Sequence, residues 1–253
     1  RNANINSKYN YGYKANIFEK IISTISYIHP SWRDTQEANL FYLPKKEGGL
    51  LLDIGCGAGS TIQTLEKLGW RGTGIDFDEK AIANAKSKGL DVYVGDLFSQ
   101  NFKESSFDAI IMNHVIEHLP DPKKVLMECR RILKENGCTI LITPNSSSRG
   151  HIKFGRNWRG LEVPRHLQIF SVDSLKELAE NSGFTKIKSF SSTQGILEIY
   201  DESKEMAKVG KYEIKRSGTL TEKLIKHLRW FLFGWLHIIQ RNKDEVAVIV
   251  CQK

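Results

Sequence analysis

The chain has no C-x-x-C pair. Its 4 cysteines, Cys56, Cys129, Cys138 and Cys251, stand at spacings that fit neither a disulfide framework nor a zinc ribbon. A reducing cytoplasm is therefore the expected setting. Proline is scarce, at 6 residues, and there is neither an internal repeat nor a low-complexity tract, which excludes collagenous, solenoid and disordered classes. The longest apolar run, Trp230 to Ile239, is broken by Gly234 and His237 and is too short to cross a bilayer. Residues 1 to 16 are polar and rich in tyrosine, without the apolar stretch of a signal peptide, so none is expected there.

What remains is ordinary for a packed enzyme: 253 residues, 40% hydrophobic and 26% charged, with 20 glycines. The formal charge of +8 is unevenly spread. Residues 51 to 145 hold 11 basic and 13 acidic side chains, whereas residues 146 to 253 hold 19 and 12. The excess is C-terminal, and reads either as a solvated surface or as a positive rim for an anionic partner.

From residue 50 to about 143, short apolar runs alternate with helical patterns, the signature of a parallel sheet with crossover helices. Strands are expected at 50–54, 72–76, 91–94, 107–112 and 138–143, with a helix from Pro122 to about Lys134 closed by Glu135-Asn136-Gly137. The stretch from Asn145 to Phe170 is too long for an ordinary connection. A helix at 172–181 and a strand at 186–191 follow, then a second insertion at 193–244 read as a charged linker plus an amphipathic segment, and a last strand at 245–250. Residues 1–45, apolar at helical spacing from Ile17 to Ile28, are expected to form a helical cap on a domain at 46–253.

Asp53-Ile-Gly55-Cys56-Gly57-Ala-Gly59 lies directly after a strand and before a helix. Glycines there permit a tight turn and close approach of a ligand to backbone amides. The dinucleotide signature fails, because its third glycine position is Ser60. Asp76 ends the next strand and could accept hydrogen bonds from both ribose hydroxyls, and Asp96 after the third could face an exocyclic amine. Asp53 at the loop would repel a pyrophosphate and suits an adenosine ligand with a cationic tail.

The segments LLDIGCGAGS (51–60), GIDFDEKAI (74–82), GDL (95–97), FDAIIMNHVIEHLPDP (107–122) and GCTILITPN (137–145) together resemble the class I S-adenosylmethionine-dependent methyltransferases. The resemblance implies an α/β, doubly wound Rossmann-like sheet of seven mostly parallel strands, the last antiparallel. It implies S-adenosylmethionine as cofactor and S-adenosylhomocysteine as product. Asp53, Gly55, Cys56 and Gly57 would hold the methionine part, Asp76 the ribose, Phe77 and Leu97 the adenine faces and Asp96 the adenine amine. Asn113 and His114 would lie by the sulfonium.

His114-Val-Ile-Glu117-His118 matches an inverted zincin pattern, but the prolines at 120 and 122 deny it the long helix such a site needs, so no metal is expected. For a hydroxyl acceptor a histidine general base suits neutral pH, and His114, His118 and His166 are the candidates, with His114 and His166 taken as catalytic. Beyond the fifth strand, Trp158, Arg159, Glu162, Arg165 and His166 crowd together. Here tryptophan offers a stacking face and arginine a grip on phosphate or carboxylate, unless Arg165 and Glu162 simply pair.

The phrase WRGLEVPRHLQIFS resembles a bacterial subgroup of these enzymes linked to surface-polysaccharide biosynthesis, and more distantly ubiquinone-pathway O-methyltransferases. It implies an acceptor lid at 145–170 and a small-molecule or saccharide acceptor, anionic by the charge balance. Leu220 to Gln240 reads as an amphipathic helix that either makes a peripheral membrane contact or packs over the active site or a dimer interface. A nucleic-acid methyltransferase is disfavoured, since Asn113-His-Val-Ile stands where base N-methylating enzymes carry N-P-P-Y, and a non-catalytic cofactor-binding protein is the remaining alternative.

Overall fold

The computed structural model describes residues 29–210, 228, 229, 232 and 242–253. The apolar pattern at Ile17 to Ile28 and nearly all of the amphipathic segment 220–240 lie outside the described residues. Seven strands, β1 (Leu50–Ile54), β2 (Arg71–Asp76), β3 (Asp91–Val94), β4 (Phe107–Asn113), β5 (Leu133–Pro144), β6 (Lys186–Ser192) and β7 (Val246–Gln252), form one sheet in the order β3-β2-β1-β4-β5-β7-β6. β7 runs antiparallel to the other six strands, as expected. The helices are α1 (Pro30–Ala38), α2 (Ser60–Glu66), α3 (Glu79–Ser87), α4 (Pro122–Ile132), α5 (Arg149–Phe154), α6 (Val172–Asn181) and α7 (Ile196–Val209).

The central strands are continuous apolar runs because both faces are covered. Side chains alternate across the sheet: Leu52, Ile54, Ile110 and Met112 join the core beneath α4 and α6, while Leu51, Ala109, Ile111 and Ile140 join a second core with Leu65 and Trp70. The path of the chain reverses between β1 and β4, whose register sets Asp53 against Ile111 and Ile54 against Met112. That reversal opens a crevice at their carboxyl ends, the usual ligand position in an open α/β sheet.

Three expectations need correction. The helix before β5 ends at Ile132, two residues early, because Leu133 already pairs with Phe107 and the strand then slips register before Cys138 meets Ala109. The final strand is β7 at 246–252 rather than 245–250, which leaves Glu245 free for another task. The segment expected to be a charged linker after Thr193 contains the 14-residue helix α7, which packs on α5. Beyond it, Arg229 pairs with Asp201 of α7 at 2.7 Å and lies over the Tyr200 ring.

At the far end of the sheet, Asp108 accepts hydrogen bonds from Lys46 (2.7 Å), the Leu50 amide and Lys134 (both 2.9 Å), tying β1, β4 and β5 together. Partial burial alone would raise its carboxyl, but these donors outweigh it and hold the pKa at about 2. The ionised form is thus favoured by the fold, and its stabilisation, present above the usual carboxylate pKa, is lost as the pH falls toward about 2. Asp108→Asn is expected to lower stability by about 1–2 kcal/mol at neutral pH and by far less in strong acid, measured by urea unfolding across pH.

Candidate active site

The loop between β1 and α2 passes under the crevice with Gly55, Gly57 and Gly59 all at positive φ, of 74°, 50° and 79°. Gly55 is sterically required: a Cβ there would sit 2.4 Å from Val115 Cγ2. Gly57 faces open space, where a Cβ would meet nothing within 4 Å. The amides of Gly55 and Cys56 donate to the Ile75 carbonyl, and the Gly57 amide donates to Asp76 Oδ2 at 2.8 Å. Asp76 Oδ1 accepts the Asp78 amide at 2.9 Å, so this carboxylate joins the glycine loop to the turn after β2. The Cys56 thiol is pushed up to about 12 by burial, with the charges of Asp53 and Asp76 adding to it.

Asp53 is buried beneath the loop, and its Oδ2 has no hydrogen-bond partner. Burial raises its pKa to about 7, against a hydrogen bond from Thr61 and with the repulsion of Asp76. Phe77 stands exposed, and exposed Asp96 accepts the Ser99 amide at 2.7 Å. Leu97 departs from expectation: it is packed into the apolar core with Ile54 and Met112, so its side chain offers no open face to an adenine ring.

Across the crevice, β4 ends at Asn113, and His114 adopts φ 55°, an uncommon conformation for a residue with a side chain. Its amide reaches the Ile142 carbonyl, and its half-exposed ring places Nδ1 3.2 Å from Glu117 Oε1. Glu117 is fully buried. Burial would raise its carboxyl, yet the hydrogen bond and charge of His114 bring it below the usual range. The Glu117 carbonyl accepts the amides of Leu167 and Gln168, which seats the lid on this turn. His118 Nδ1 lies 2.8 Å from the Arg165 carbonyl, His166 Nδ1 2.8 Å from the Gly160 carbonyl, and the two rings 4.7 Å apart.

The lid's other residues are placed differently from expectation. Trp158 is fully buried: its Nε1 donates to Glu245 Oε2 at 2.7 Å and its ring stacks on His151, so no face is left for an acceptor. Arg159 pairs with both Glu162 and Glu202, and Arg165 pairs with Glu162 at 3.1 Å, the pairing that the sequence left open. Glu245 carried no sequence signal, yet it also accepts the Gly150 amide (2.8 Å) and the Ser148 hydroxyl (3.0 Å). Thr61, Val115 and Glu202 were likewise invisible beforehand, since each acts through a partner distant in sequence.

A methyltransferase domain model matches residues 26–189. The chain belongs to the methyltransferase domain family. Among its relatives, a probable S-adenosylmethionine-dependent methyltransferase of Mycolicibacterium smegmatis is 29% identical over 136 residues, covering 53% of this chain and 51% of the relative. A ubiquinone biosynthesis O-methyltransferase of Caulobacter vibrioides is 38% identical over 106 residues, covering 39% and 42%. The matches thus span about half of these relatives. The fold is shared with an S-adenosylmethionine-dependent methyltransferase of Archaeoglobus fulgidus, at TM-score 0.58 and 20% identity over 91% of this chain and 98% of the other.

Two features of the crevice fit S-adenosylmethionine, the ligand named for the Mycolicibacterium smegmatis relative: the open cradle at Gly57 and the buried Asp53 Oδ2, which has no hydrogen-bond partner among the described residues. Among the described residues, no helix is long and apolar enough to cross a membrane. Because the folded-state pKa of Asp53 is raised, its protonated form stabilises the fold, and that contribution is lost as the pH rises through about 7. Asp53→Asn is expected to match the wild type in stability near pH 4 and to exceed it above pH 7 by about 1–4 kcal/mol, read from ligand-free thermal unfolding.

Proposed function

We propose that the enzyme transfers a methyl group to a hydroxyl oxygen of a small-molecule or saccharide acceptor bound between the β4–α4 turn and the lid at 145–170. The observation that carries this reading is the paired His114 and Glu117 at the carboxyl end of β4, beside the glycine loop. In the cofactor's place, Asp53 offers a buried carboxylate to the cationic methionine part, the amides of the Gly55-Cys56-Gly57 turn line it, Asp76 serves the ribose, and Phe77 and Asp96 flank the adenine. Asn113 borders the sulfonium.

S-adenosylmethionine supplies a methyl group on a positively charged sulfur, which leaves as a neutral thioether. The chain's own contribution is alignment and proton management. With Nδ1–H donated to Glu117, His114 keeps a bare Nε2 that can take the acceptor's hydroxyl proton as the methyl–oxygen bond forms, and the buried Glu117 carboxylate stabilises the resulting imidazolium. His166, whose side chain is only 5% exposed, is too covered to serve as that base without lid movement. Of the two arginines singled out in the lid, Arg165 better supports an anionic acceptor, because Arg159 is already held by two carboxylates whereas Arg165 is largely exposed.

Calorimetry with S-adenosylhomocysteine tests the cofactor site: Asp76→Ala should weaken binding at least about tenfold, a loss of roughly 1.4 kcal/mol. Equal affinities in variant and wild type would remove the assigned role of Asp76. In methyl-transfer assays over a panel of hydroxylated small molecules and saccharides, His114→Ala should lower kcat by about a hundredfold while leaving S-adenosylhomocysteine affinity within about threefold. An unchanged kcat would discard His114 as the base, and N-methylation of amines in place of O-methylation would discard the acceptor class.

A further inference from the structure

The inner wall of the lid brings together more ligating chemistry than proton transfer from an acceptor needs. Glu117 and His118 from the turn after β4 and His166 from the lid present one ligand atom each within 4.8 Å of one another. Both Nδ1 atoms lie 2.8 Å from backbone carbonyls, which can only accept, so each Nδ1 carries a hydrogen and, in the neutral ring, Nε2 carries the lone pair. His166 Nε2 lies 4.0 Å from Glu117 Oε1 and 3.7 Å from Glu162 Oε2, too far for hydrogen bonds. The second oxygen of Glu117, Oε2, is buried and has no hydrogen-bond partner. His166 Nε2 thus lies close to two carboxylate oxygens that already accept from His114 and Arg165, while Glu117 Oε2 stays without a partner. Either a proton on Nε2 or a metal cation drawn between these groups would relieve the repulsion.

From this geometry we infer that Glu117, His118 and His166 form a site for one divalent first-row transition-metal ion, which shares Glu117 and His118 with the H-x-x-E-H pattern but takes His166 of the lid in place of His114. In this grouping the motif's first histidine, His114, acts on Glu117 from outside. Two neutral imidazoles and one carboxylate favour zinc, manganese, cobalt, nickel or iron over magnesium or calcium, which prefer all-oxygen shells. The carbonyls of Arg165 and Gly160 supply the outer hydrogen bonds that fix the tautomers of such ligands. Side-chain shifts of about an ångström would draw the three atoms to the roughly 3.3 Å separations that a tetrahedral ion with bonds near 2 Å imposes. Because His166 belongs to the lid and the other two ligands to the turn after β4, the ion would clasp the lid over the crevice. As a Lewis acid it could also polarise an acceptor oxygen, a role that rests on the hydroxyl-acceptor reading, whereas binding itself does not.

Tag-free full-length protein, stripped with chelator and dialysed, should bind one equivalent of Co²⁺ or Zn²⁺ in calorimetric titration. His118→Gln and His166→Gln should each weaken that binding by about 10- to 100-fold, with S-adenosylhomocysteine affinity and thermal stability reported alongside. Zinc-edge X-ray absorption of the loaded wild type should show two imidazoles and no sulfur, a readout that does not depend on how the variants fold. Absence of saturable one-equivalent binding, affinity unchanged in both variants, or a thiolate-ligated zinc would each overturn the site. Loss of metal binding with intact S-adenosylhomocysteine binding in the variants supports it. Failure of the stripped wild type to bind S-adenosylhomocysteine would instead strike at the cofactor reading.

Discussion

The pairing of β1 with β4 at the centre of the sheet is the constraint from which the rest follows. Its register brings the end of β1, with Asp53, and the end of β4, with Asn113 and His114, to the same edge. Strands on either side of that pair are added in opposite directions, so no crossover helix covers this edge. The glycine loop can then turn sharply beneath the opening, and Val115 packs so closely over Gly55 that no larger residue fits. The glycine loop and the turn after β4 therefore abut at one opening without either having to be built by a separate domain.

Buried carboxylates do the fastening around this opening. Glu245, at the mouth of the antiparallel strand, gathers Ser148, Gly150 and Trp158 of the lid, and burial raises its pKa even though three donors oppose that. Glu117 gathers His114 and, through its carbonyl, the Leu167–Gln168 end of the lid. A buried carboxylate with its donors supplied is directional in a way that apolar contact is not, so each one sets where a lid segment lies. The price is paid in desolvation, and Asp53, the least satisfied of the three, is the one that faces the cofactor loop.

Much of this was legible beforehand where the physics is local. Strand and helix periodicity placed six of the seven strands to within two residues but missed the first five residues of β5, and the glycine spacing located the turn after β1. The misplacements have a common cause. The turn at Glu135–Gly137 reads as a helix stop, but β4 recruits Leu133 into pairing across the turn. The α7 helix hides in a charged composition because it packs on α5 and the lid and only Ile199 reaches the edge of a sheet core among its described residues. Trp158 looked like an acceptor platform since an aromatic beside arginines has the same signature whether its indole N–H meets solvent, ligand or, as here, a glutamate 87 residues away.

The sequence by itself determined the sheet, the glycine loop and the ordering of motifs, because these depend on side-chain period, glycine's access to positive φ and residues close together along the chain. Only the tertiary structure decided the state of each ionisable group. Whether Arg159 is free to bind an anion or held by Glu202, and whether His118 belongs with His114 or with His166, depends on desolvation and on partners separated by some 40 to 50 residues. Such energies turn on distances of a few ångströms, which no spacing in a linear chain specifies.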